Sequence, residues 1–223
     1  DIFDNIIDVS RRDLRDLLRK FFDCNEHNER ISLKQKITNN VLSQLKSQHF
    51  LIDLSKIDLL ANDKFFLWHT WFNDVFNRPS KQGFDIVIGN PPYIQLQKNG
   101  GSFAALYEHC GYKTFVRTGD IYCLFYERGW QLLKRGGYLC YITSNKWMRA
   151  AYGEQIRNFF TTKTNPQLLI DFSGVKIFEG ATVDANILLF SKDNNRHNTI
   201  CAVSNDQSKD CIKNPSVFVK QNN

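Results

Sequence analysis

The feature that most constrains the fold of this chain is the stretch Gly83-Phe84-Asp85-Ile86-Val87-Ile88-Gly89-Asn90-Pro91-Pro92-Tyr93. Phe84 to Ile88 has the composition and length of one buried strand, and it stops at a polar amide followed by two prolines and a ring. Proline lacks an N–H and pushes the residue before it into extended backbone, so Asn90 to Pro92 can neither continue as helix nor join a ladder. The stop is a stiff, extended turn. At the carboxyl end of a strand in an open α/β sheet, such a turn stands where ligands bind. It offers an amide, a carbonyl and an aromatic ring to one crevice.

The rest of the chain is long enough to surround that turn with a core. It has 223 residues, of which 42% are hydrophobic and 13% aromatic, a composition that excludes a disordered chain. A net charge of +6 is compatible with a polyanionic partner without requiring one. Six scattered cysteines, with no C-x-x-C and no histidine at ligand spacing, read as reduced, mostly buried thiols of a cytoplasmic protein with no metal site. No apolar run has the length of a membrane span. The chain opens at Asp1 without a methionine, and it reads as part of a longer polypeptide.

Three segments are expected. Residues 1–64 begin with an amphipathic helical pair: Leu14, Leu17, Leu18, Phe21 and Phe22 in one helix, Leu33, Ile37, Val41, Leu42 and Leu45 in the next, with a break at Asn25 to Asn28. Residues 65–192 open on the aromatic run Phe65 to Phe72, which reads as core rather than as a base-stacking surface. After the turn come an irregular region, Gln95 to Thr118, then a helix from Gly119 that closes on Lys134-Arg135-Gly136-Gly137. A strand is predicted over Tyr138 to Thr143 and a helix from about Met148 to Phe160, with Ser144-Asn145 as its cap. Strands follow at Leu168 to Phe172 and Ile187 to Phe190, too close in sequence for a crossover helix and hence antiparallel or distant. Residues 193–223 form a tail or the start of another domain, with Thr199 to Val203 and Val217 to Val219 as strand candidates.

Strand, Asn-Pro-Pro-Tyr, helix, Gly-Gly, strand, helix, strand, loop, strand resembles the second half of a class I methyltransferase sheet. More narrowly, the chain resembles the adenine-N6 DNA methyltransferases, and among them the modification domain of type IIG restriction-modification enzymes. The resemblance rests on Asn90-Pro91-Pro92-Tyr93, on Asp120-Ile121-Tyr122 with Phe125, on Thr143 to Arg149 with Tyr152-Gly153, and on Phe178 in Val175 to Gly180. It implies an α/β fold, a partial Rossmann-like sheet preceded by a helical segment. It also implies S-adenosyl-L-methionine as cofactor and double-stranded DNA as partner, with the remainder of the parent polypeptide alongside. The family's glycine-rich cofactor loop and its ribose-binding acidic residue are not found, and on the family's order they precede residue 1. The resemblance therefore implies that this chain carries half of the cofactor site and does not methylate by itself.

The chemistry follows from residue types. Adenine N6 is a poor nucleophile, and an acceptor pair, the Asn90 side-chain oxygen and the Pro91 carbonyl, can hold its hydrogens and stabilise the positive charge that grows during attack. By resemblance, Tyr93 and Phe178 stack on the extruded base while Asn90, Pro92 and Phe125 contact the cofactor. Lys98, Lys113, Arg117, Lys146 and Arg149 are candidates for phosphate contacts, with a plain solvated role as the alternative for each. Methylation of adenine in RNA or of a protein glutamine, and a catalytically silent DNA-binding module, are the competing readings.

Overall fold

The computed structural model describes residues 2–47, 66–178, 183–204 and 214–221. The chain divides into two compact units, Asp1–Pro79 and Ser80–Asn223. Phe65, Glu179, Gly180 and Cys211 of the sequence expectations lie outside the described residues, as does the side chain of Leu45.

In the first unit, α1 (Ile2–Asp23) and α2 (His27–Ser47) are separated by a break at Cys24 to Glu26. Leu14, Leu18, Ile37 and Val41, spaced by four within each helix, come to one face and are buried together with Trp71. Trp71 belongs to the short helix α3 (Trp68–Trp71), which is followed by α4 (Asn73–Phe76). Phe21 and Trp71 rings lie 5.1 Å apart, and within the described part of the aromatic run Trp71 is core, Trp68 and Phe72 are half-buried and Phe66 is exposed, so the core expectation holds fully for Trp71 and in part for its neighbours. An ion pair of 2.8 Å between Arg15 and Asp74 ties α4 to α1.

The second unit is a mixed five-stranded sheet in the order β1-β2-β4-β3-β5, with β1 (Phe84–Gly89), β2 (Leu133–Ser144), β3 (Asn165–Asp171), β4 (Ala185–Ser191) and β5 (Ile200–Val203). β1 runs parallel to β2 and β3 parallel to β5, whereas β4 runs antiparallel to both β2 and β3. The α/β class is as expected. Helices α6 (Ile121–Leu132) and α7 (Glu154–Lys163) cover one face, where Tyr122, Tyr126, Ile156, Phe159 and Phe160 pack on Leu139, Tyr141, Leu188 and Phe190. The other face is covered at the β3 end, where Ile170, Phe172 and Val175 meet Phe218 and Val219.

Several expectations are corrected. β1 is an edge strand, not a buried one: Ile86 is 66% and Ile88 78% exposed, because only the Val87 side of the strand faces the helices. The irregular region holds helix α5 (Lys98–Tyr107), whose first turn is broken by left-handed backbone at Asn99, Gly100 and Gly101. Glycines there hid an amphipathic turn that packs Ala104 beside Leu96, Ile121 and Leu124. Lys134 and Arg135 are not the last turn of α6; they stand in β2, and Lys134 pairs with Asp85 across to β1. The C-terminal carbonyls of that helix are met instead by Lys192, whose ammonium donates to Leu133 O at 2.7 Å and sits 4.6 Å over the Trp130 ring. Val217 to Val219 lie in the helix Pro215–Gln221 rather than a strand. Of the described cysteines only Cys123 is buried, so most of these thiols are not core residues.

Candidate active site

Beyond Gly89 the chain leaves the sheet, and residues 90–94 are irregular, as two consecutive prolines demand. Pro91 is buried, Tyr93 half-buried, and Asn90 and Pro92 are exposed. The far end of the turn is pinned to the start of α6. Ile94 N–H donates to the Asp120 carboxylate at 2.9 Å, Ile121 N–H donates to Ile94 O at 2.9 Å, and Leu96 N–H donates to Gly119 O at 2.9 Å. Pro91 and Pro92 have no N–H with which to anchor the turn, so these bonds at its far end help to locate it.

The Tyr93 hydroxyl lies 3.0 Å from Asn90 Oδ1 and 3.4 Å from Ile142 O at the end of β2. Its ring meets Tyr122 edge-on, with centroids 6.1 Å apart, and Phe178, with centroids 6.4 Å apart. Tyr122 in turn shares a 2.7 Å hydrogen bond with Tyr152. Burial pushes the Tyr93 phenol above its ordinary pKa, reinforced by the nearby Asp120. Burial also raises Asp120, against which the Ile94 N–H acts. Both phenols at the site, Tyr93 and Tyr122, therefore stay neutral donors at physiological pH.

Asn90, Pro91, Pro92, Tyr93 and Phe178 line one cavity of about 240 Å³. Phe178 reaches it from the segment after β3, more than eighty positions along the chain, so two distant stretches converge on a single crevice. Phe125 is not in that lining. It is the outward position of a helix whose neighbouring residues are buried, 39% exposed, and presents an apolar ring to the exterior.

Sequence reasoning missed the polar framework behind the crevice. Asn145 Nδ2 donates to Asp171 Oδ1 at 2.8 Å and to Ser173 Oγ at 3.0 Å. Asn186 Oδ1 accepts from Trp147 Nε1 and from Thr143 Oγ1, each at 3.1 Å. Because the indole nitrogen can only donate, it fixes which end of the Asn186 amide is oxygen. Buried Glu127 accepts from both the N–H and the hydroxyl of Thr114, tying the loop after α5 to α6. None of these partners is near in sequence. The local signals were those of helix starts, Asp120 just ahead of an apolar helical run and Ser144-Asn145 as a cap, and neither points to these distant partners.

A family model described as Eco57I restriction-modification methylase matches residues 1–178. The chain is 31% identical over 114 residues to the Type II restriction enzyme and methyltransferase RM.Eco57I of Escherichia coli, covering 50% of this chain and 11% of that protein. It is 29% identical over 132 residues to the Type II methyltransferase M.PaeR7I of Pseudomonas aeruginosa, covering 58% of this chain and 23% of that one. Among solved structures, the Type IIL restriction-modification enzyme MmeI in complex with DNA aligns with 55% of this chain and 17% of its own, at 16% identity and a TM-score of 0.45.

Proposed function

The chain belongs to the Eco57I restriction-modification methylase family, and from that premise we propose that its crevice receives an adenine extruded from duplex DNA for methylation at N6. The observation that carries this reading is the convergence of Asn90, Pro91, Pro92, Tyr93 and Phe178 on one cavity. A base inside a duplex keeps its amino group paired and cannot bring it to both Asn90 and the buried Pro91, so it must leave the stack. Tyr93 and Phe178 supply the aromatic surface that replaces the lost stacking. The Asn90 side-chain oxygen and the Pro91 carbonyl accept the two amino hydrogens, and they stabilise the positive charge that develops on nitrogen. Tyr93 supports this through its hydroxyl: a donor 3.0 Å from Asn90 Oδ1 holds the amide with its oxygen toward the ring side and leaves a second lone pair for the base.

S-adenosyl-L-methionine, when bound, supplies an electrophilic methyl group. Pro92, exposed in the crevice, and Phe125, an exposed ring between buried Leu124 and Tyr126, suit the adenine of such a cofactor and would hold it. The residues of this chain orient and polarise the acceptor, and no side chain at the turn is needed as a base, since the proton can leave after methyl transfer. Residues 65–192 act in this reading as the target-base half of the catalytic domain, within a longer restriction-modification protein.

The test uses the natural full-length polypeptide that carries this chain. Asn90→Ala is expected to lower the methylation rate by about 10²–10³, the usual effect of removing one preorganised charge-stabilising group, while duplex binding is retained. Labelled methyl appearing in RNA or protein but not in DNA adenine would reject the reading.

A further inference from the structure

Directly after β2, the sequence Asn145-Lys146-Trp147-Met148-Arg149 forms a tight 3-10 turn that is held from three sides. Asn145 is fastened to Asp171 and Ser173, at the start of the segment that leads to Phe178. Trp147 is buried and its indole N–H is bound to Asn186. Arg157, from α7, places one guanidinium nitrogen 2.6 Å from Trp147 O, 3.3 Å from Met148 O and 3.2 Å from Ala150 O, which closes the carbonyl end of the turn. The clearance is so small that a side-chain carbon at Gly153 would stand 1.8 Å from Trp147 O. Burying this many polar groups costs stability unless each is satisfied, and what it returns is a single conformation.

The side chains presented outward by this fixed turn are both cations. Lys146 is exposed and lies within electrostatic range of Asp120, the carboxylate that anchors the residue after Tyr93. The Arg149 side chain is 78% exposed, with its guanidinium 4.0 Å from Asp171. Both carboxylates are buried and already engaged, Asp120 by Ile94 N–H and Asp171 by Asn145 and Ser173. Lys146 is thus linked through Asp120 to the Tyr93 end of the turn, and Arg149 through its ion pair with Asp171 to the start of the segment that leads to Phe178, while the Arg149 side chain stays largely open to a second anion.

We infer that Lys146 and Arg149 form a phosphate-binding step that engages the DNA backbone flanking the extruded nucleotide. The inference rests on the proposed function and names what its site does with the strand rather than with the base. A nucleotide leaving the stack carries its phosphates to the crevice rim, and cations on a rigid backbone turn meet them with only their side chains left to order.

The experiment measures duplex binding by the full-length polypeptide carrying Lys146→Gln with Arg149→Gln, as a function of salt. Each phosphate contact contributes about 0.9 to the slope of log affinity against log salt, so the double variant is expected to lose roughly 1.8 of slope. Its disadvantage relative to the parent should accordingly shrink about twelvefold between 50 and 200 mM salt. Lys146→Arg with Arg149→Lys should restore most of the slope. A charge-matched control, Lys20→Gln with Lys36→Gln, should leave it unchanged. An unaltered slope in the double variant, or an equal loss in the control, overturns the phosphate step while leaving the adenine reading standing. Failure of the unmodified protein to bind duplex DNA at all overturns both.

Discussion

Asp120 makes a sharp test of how the Asn-Pro-Pro-Tyr turn is held. Its carboxylate accepts from Ile94 N–H at 2.9 Å in a buried setting, and a hydrogen bond to a charged group contributes about 1.5–3 kcal/mol. Ile94 is only half-buried, so water recovers part of what Asp120→Ala removes, and the net loss should be about 2 kcal/mol. For a unit of this size that is a fall of about 4–8 °C in thermal midpoint. Asp120→Asn keeps an acceptor in the same place and should lose less than about 1 kcal/mol. The two remaining backbone bonds, Ile121 N–H to Ile94 O and Leu96 N–H to Gly119 O, keep the turn from detaching in either variant. A pH series adds a sign. Burial raises the Asp120 pKa in the fold, so folding takes up a proton between the unfolded and folded values. The contribution is fully present below the ordinary carboxylate range and is lost as pH rises through the raised value. Asp120→Asn should flatten that decline. Differential scanning of the three proteins from pH 3 upward checks both points. If Asp120→Ala melts within about 1 °C of the parent, or Asp120→Asn falls as far as Asp120→Ala, the carboxylate is not acting as the acceptor that anchors the turn.

Three further outcomes are expected. Tyr93→Ala and Phe178→Ala should each weaken binding of DNA carrying an unpaired target adenine by about 1–3 kcal/mol, the range for base stacking on one ring, and a fluorescent base analogue at that position should report reduced stacking. Tyr93→Phe keeps the ring and removes the donor to Asn90, so it should spare that binding and lower the methylation rate instead. Gly153→Ala should destabilise the second unit by about 3 kcal/mol or more, since the new carbon meets Trp147 O and displaces Arg157; chemical denaturation measures it, and a loss under 1 kcal/mol would mean the turn is looser than described.

Much of this was readable along the chain because it depends on neighbours in sequence. The helical pair follows from apolar residues four apart, and their burial with Trp71 is what such a stripe requires. The short connection between β3 and β4 allows antiparallel or distant strands, and the structure pairs them antiparallel. What was misread depended on partners far away. Lys134-Arg135-Gly136-Gly137 has the local pattern of a helix end, yet Lys192 brings its charge to those carbonyls from sixty residues downstream and leaves Lys134 free to pair with Asp85. The strand quality of Phe84 to Ile88 is likewise a local property, while its exposure depends on which faces other elements reach.

The stiff turn at Asn90 to Tyr93 needs nothing beyond its own residues, because the prolines there forbid helix and ladder in any context. The same residues also dictate that an amide and a ring project from the turn. Folding in three dimensions added the rest: that Phe178 joins them, that Asp120 holds the turn's far end, and that Lys146 and Arg149 sit on a backbone turn held by Asn145, Trp147 and Arg157. The physical reason is that backbone restriction acts within a few residues, whereas convergence needs the sheet, whose register brings the ends of β1, β2 and β3 together.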